Sequence, residues 1–205
     1  STHVYGSMHI STHQIFNLNE ENTSIKSKIA CLTWIDYRFL KEINRKNPKL
    51  IKNGISDVYA LKTATQEWKD GPEYIGNEID KATLLISKKA ISLLHNCVKK
   101  DCIESLVLAQ ALLNVITEIQ GSAPASGTEH LYANVMENIF QSKESHGLLV
   151  AKGILYQENL NPYDTLIEIE KEMKNLGIYP YKSRNFKRYK LEKNIENEMI
   201  KLSKR

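Results

Sequence analysis

The sequence predicts a mostly α-helical bundle led by a short β-hairpin, and three observations carry that prediction. From Ile35 onward apolar residues recur every three or four positions, the spacing that gives a helix one buried face. Before that point, QIFNL at residues 14–18 and IKSKIACLT at 25–33 read as short extended stretches separated by the polar turn NEENTS. The 205 residues also hold only 9 glycines, with no GxGxxG or GGG run and no strand and helix alternation long enough for a parallel sheet.

Each helical segment has its own signal. NPKLIKNGISDVYALKTATQEWKD sets Pro48 where a first helical turn tolerates it, and Gly54 is expected to loosen or break the helix just before Asp57. In EIDKATLLISKKAISLLHNCVKK, the residues Ile79, Ala82, Ile86, Ala90, Leu93 and Cys97 mark one buried stripe. Residues 101–120 are apolar around much of the circumference, which predicts a helix in the middle of the bundle. Further helices are expected over 128–140, 145–158, 162–176 and 191–202, with Gly177 and Pro180 separating the last two. The expected organisation is an interdomain-type segment and hairpin over 1–34 and one helical unit over 35–205.

Composition narrows the function classes. Apolar content of 41 % and charged content of 25 % suit a packed globular chain and exclude wholesale disorder. Cys31, Cys97 and Cys102 are odd in number and form no CxxC pair, which argues against a disulfide framework and a thiolate zinc site and fits a reducing cytoplasm. No apolar run approaches the roughly 20 residues of a membrane helix, so no membrane partner is expected. The net charge of +4 is mild, and its visible concentration is YPYKSRNFKRYK at 179–190. Basic residues among aromatics can grip nucleic acid, but no binding module accompanies them, and the segment reads as a solvated tail. His9 and His13 are spaced as one helical turn, which suits a metal or, more commonly, an ordinary helix face.

Asp57, His130 and His146 stand out together. Each adjoins a glycine or small-residue break, in NGISD, SGTEH and SHG. One carboxylate and two imidazoles make a three-ligand divalent site with a position left for water or substrate. The same residues would equally serve as a cap at Asp57, a helix-start His130 and a surface His146.

NGISDVYALKTATQEWKD, SAPASGTEHLYAN and HGLLVAKGIL, in this order, resemble the metal-binding domain of glycerol-1-phosphate dehydrogenases. Those enzymes share a superfamily with iron-containing alcohol dehydrogenases, glycerol dehydrogenases and 3-dehydroquinate synthases. PASGTEH is the most specific element, supported by Trp68 eleven residues after Asp57. The resemblance implies a dehydroquinate synthase-like C-terminal domain with Asp57, His130 and His146 as catalytic residues on one divalent metal, zinc being the expected ion. It implies a polyol-type substrate and places His3 and Ser126 at the cofactor cleft. Glu129, beside the first histidine, is assigned a supporting or helix-start role, because neighbours on a helix point ~100° apart.

The pattern also departs from the family. No nucleotide-binding half is visible, so NAD(P) is expected only if a separate polypeptide or partner domain supplies its site; a homodimer is the other expected assembly. The arginine that often precedes Pro-Ala-Ser-Gly is Ala123, a further histidine of many relatives is Asn134, and His3 stands where the family has Asp. The expected function is the metal-binding catalytic half of a polyol or polyol-phosphate dehydrogenase-like protein. The alternatives are a truncated non-redox relative acting as an interaction protein, and a metal-dependent elimination or cyclisation enzyme.

Overall fold

The structure is a computed structural model that describes residues 13–18, 21–26, 35–71, 80–97, 103–160, 165–180 and 188–203. These residues are mostly helical. Near the start, strands β1 (His13–Leu18) and β2 (Glu21–Lys26) pair antiparallel, with Leu18 opposite Glu21 and His13 opposite Lys26. The second strand thus lies on ENTSIK, part of the stretch expected to be the turn. His13 is the first residue of a strand, and His9 and His3 lie outside the described residues.

Helix α1 (Tyr37–Lys46) begins at Asp36, whose carboxylate accepts from the Arg38 and Phe39 N–H groups at 2.9 and 3.3 Å. That bond satisfies donors a helix start otherwise leaves orphaned. Helix α2 (Pro48–Tyr59) has Pro48 in its first turn. Contrary to expectation it runs unbroken through Gly54, because Gly54 is buried and Gln110 donates to its carbonyl at 3.1 Å. Helix α3 (Leu61–Asp70) follows directly and buries Trp68 as a core anchor.

Helices α4 (Lys81–Cys97) and α5 (Ile103–Gln120) pack closely on each other. The buried face of α4 is Thr83, Ser87, Ala90 and Leu94, one position round from the expected stripe. Ala82 is exposed and Ile86 half-buried. The Ser87 hydroxyl donates to the Thr83 carbonyl at 2.8 Å, so a short polar side chain enters the interface already satisfied. Hydrophobicity alone therefore missed Thr83 and Ser87 on this face, while Ala90 of the expected stripe is buried and Ile86 and Leu93 pack partly buried against the core.

Helix α5 does not sit in the middle of the bundle. Leu106, Ala109, Leu113 and Ile116 are buried, but Leu108, Val115 and Ile119 are 42 to 54 % exposed. By length and composition it is apolar enough to cross a membrane, against the expectation of no such run; 44 % of it is buried among the other helices.

After Gly121, whose φ of +77° suits glycine, Ala123–Ala125 form one turn of 3-10 helix. Helix α6 (Thr128–Asn138) and α7 (His146–Leu160) pack on each other, and α7 also packs on α2. Helix α8 (Leu166–Leu176) ends at Gly177 in the left-handed conformation, φ +69°. Tyr59 and Lys62 dock α8 through Glu172, at 2.5 and 2.7 Å. Ile178 and Pro180 are buried and the Tyr179 hydroxyl donates to Glu170, so the basic and aromatic segment begins packed instead of solvated. Its residues 181–187 lie outside the described part. Helix α9 (Arg188–Ser203) lies against α6.

Candidate metal centre

Three helices bring Asp57, His130 and His146 together. Asp57 is in the last turn of α2, His130 in the first turn of α6, and His146 is the first residue of α7. One possible ligand atom from each lies within 4.8 Å of the others, and the imidazole centroids are 5.6 Å apart. Donors ~2.0–2.2 Å from a common ion lie at most about 4.4 Å from one another, so the three are close to the spacing one ion needs.

Close helix approach makes this convergence. A Cβ on Gly147 would lie 2.4 Å from Asn53 Cα, so glycine lets α7 touch the α2 backbone next to His146. On Gly153 it would lie 2.4 Å from the Glu129 carbonyl oxygen, so α7 touches α6 beside His130. On Gly127 it would lie 2.4 Å from Glu67 Oε2 and 3.3 Å from Ala64 Cα. The glycine of PASGTEH thus makes room for α3. Gly147 is not a helix break, since α7 begins at His146 and includes it.

Hydrogen bonds set the rings. Glu129, fully buried, receives the Gly127 N–H at 2.7 Å on the same Oε1 that lies 2.8 Å from His130 Nδ1. Its other oxygen is 3.4 Å from the Thr63 hydroxyl. Glu129 therefore has both of the roles expected for it, at the helix start and behind the histidine. Glu137 Oε1 lies 2.9 Å from His146 Nδ1. Neither Glu137 nor Glu67 was singled out from sequence. Glu137 is seven residues from His130, two turns along the same helix face, but its partner His146 belongs to the next helix.

Asp57 has the opposite character. It is 8 % exposed, and its Oδ1 is buried without a hydrogen-bond partner among the described residues. Burial pushes its carboxyl above the ordinary range, against the pull of His146 and His130. For His146 burial acts downward, but the Glu137 hydrogen bond and the charges of Asp57 and Glu137 outweigh it and hold the ring above its usual range. A buried carboxylate with such an oxygen, close to two imidazoles, is costly in isolation and is what a cation would satisfy. The donor set fits a borderline ion such as zinc.

A cleft of about 520 Å³ opens at the start of α6, lined in part by Ser126, Thr128, Asn134 and Glu67. Ser126 lines this cleft, whose lining does not include Asp57, His130 or His146. Glu67 accepts from the Thr128 N–H at 2.9 Å and its hydroxyl at 2.5 Å, and Gln157 donates to it at 3.2 Å. The first N–H groups of α6, which would otherwise attract an anion, are occupied by the chain's own carboxylates.

No protein-family model matches the chain. Comparison with curated proteins gives the glycerol-1-phosphate dehydrogenase [NAD(P)+] of Sulfurisphaera tokodaii at 33 % identity, covering 76 % of this chain and 45 % of that protein. The enzyme of the same name from Staphylothermus marinus is 30 % identical over 66 % of this chain and 40 % of its own length. That of Sulfolobus acidocaldarius is 31 % identical over 76 % and 45 %. The matched region is their C-terminal part. In sequence the chain fits the C-terminal part of the glycerol-1-phosphate dehydrogenase superfamily. It spans less than half the length of these relatives.

Proposed function

We propose that Asp57, His130 and His146 hold one divalent metal, zinc first among candidates. On this reading the chain is the metal-binding part of a polyol or polyol-phosphate dehydrogenase-like protein. The observation that carries it is the buried Asp57 carboxylate, which has one oxygen without a hydrogen-bond partner among the described residues and lies close to two imidazoles whose Nδ1 atoms are each engaged by a glutamate. When bound, such an ion supplies Lewis acidity toward a hydroxyl or carbonyl oxygen, and three protein ligands leave it an open position. The residues of the chain contribute a fixed ligand triangle, and Ser126 and Asn134 are polar groups on the cleft along α6. Hydride exchange with NAD(P), which the relatives' names specify, requires a nucleotide site from a partner domain or polypeptide.

Glu67 and Glu129 fill the N–H groups at the start of α6, and Ala123 offers no guanidinium. A substrate phosphate would therefore be held elsewhere, while the hydroxyl-bearing end meets the metal. The test is metal content after purification and zinc re-addition. One zinc per chain is expected, with loss of that stoichiometric binding in His130→Ala. Failure of the wild-type chain to bind, or full binding by His130→Ala, would overturn the proposal.

A further inference from the structure

We infer that Glu129 and Glu137 are positioning residues that fix His130 and His146 as Nδ1–H tautomers and thereby present Nε2 of each ring to a divalent cation. This rests on the metal-centre reading above and adds a separate physical requirement to it. A neutral imidazole carries one proton and one nitrogen lone pair, and the hydrogen bond made by one nitrogen decides which is which. An ionised carboxylate only accepts, so a glutamate at Nδ1 demands a proton there and leaves the lone pair on Nε2. Here both rings meet that condition, at 2.8 Å to Glu129 and 2.9 Å to Glu137. Two carboxylates from independent positions on α6 impose the same tautomer on rings from two helices, while the third member, Asp57, has an oxygen without a hydrogen-bond partner among the described residues.

The two glutamates differ in what else they hold. Glu129 also receives the Gly127 N–H and so secures the helix start; removing it would disturb folding along with the ring. Glu137 is 17 % exposed and its hydrogen bond is to His146, which is 40 % exposed. It is the cleaner probe.

The experiment uses the full chain as wild type, Glu137→Ala and Glu137→Gln. The His146 tautomer is read by nitrogen-15 NMR of the metal-free protein, with the pH raised until the His146 ring shifts stop changing and the ring is neutral, and zinc affinity by competition with a chromophoric chelator. The wild type is expected to show the Nδ1–H form. Glu137→Ala should shift toward the Nε2–H form and lose about 10- to 100-fold in zinc affinity. Glu137→Gln, whose amide oxygen still accepts, should restore the tautomer and most of the affinity, which a merely space-filling role would not require. An Nε2–H tautomer in the wild type overturns the inference whatever the variants do. So does unchanged zinc affinity in Glu137→Ala while the wild type binds zinc and His130→Ala does not; that pattern leaves the metal centre standing. A wild-type chain that binds no zinc removes the metal centre and this inference together.

Discussion

Asp57 shows the conflict between stability and function at the scale of one side chain. Its carboxylate is buried beside two rings, yet one oxygen has no hydrogen-bond partner among the described residues. An uncompensated buried charge is strongly unfavourable, and an amide of the same shape is far less so. Asp57→Asn should therefore stabilise the metal-free chain by about 1–3 kcal/mol, the cost of an unsatisfied buried polar group, read as a higher urea midpoint at about pH 8. An unchanged or lower midpoint would mean the imidazoles already compensate the charge. The three side chains were named from sequence through the resemblance of NGISD, PASGTEH and HGLLVAKGIL to the family, because their types and small-residue neighbours suit a cap, a helix start and a surface histidine equally well. Glu137 and Glu67 were not, because each acts across a helix–helix contact that linear spacing does not encode.

Among the secondary-structure elements, glycines set the distances. Periodicity located most of the helices, since a buried stripe repeats at the helical period; it missed part of the inner face of α4 because Thr83 and Ser87 are buried with small hydroxyls. It also read Gly54 and Gly147 as breaks, whereas both lie inside helices where another chain segment comes close. Local sequence cannot separate a glycine that frees the backbone from one that yields space. Gly153 gives a test of the second role. Helix propensity favours alanine there by about 1 kcal/mol, but its Cβ would lie 2.4 Å from the Glu129 carbonyl oxygen and 2.8 Å from its Cα, which are backbone atoms of another helix. Overpacking of that kind costs about 1–3 kcal/mol and should prevail. Gly153→Ala is expected to lower the urea midpoint and also weaken zinc binding, because the displaced residue adjoins His130. A stabilised variant with full zinc affinity would show that α6 and α7 separate freely.

Across the whole molecule, the candidate ligands join α2, α6 and α7, elements separated by up to 89 positions from Asp57 to His146. A ligand that binds the folded chain and not the unfolded one stabilises it by mass action, about 2.7 kcal/mol at a free concentration of 100 times Kd. For a chain of this size each kcal/mol moves Tm by about 2–4 °C, so saturating zinc should raise Tm by roughly 5–11 °C and a chelator should reverse it. Asp57→Asn makes the argument discriminating. It should begin with a higher Tm than the metal-free wild type, respond little to zinc, and be overtaken by the wild type as zinc is added. Parallel zinc responses in the two proteins would place the ion at other residues and separate the convergence of the three helices from metal binding.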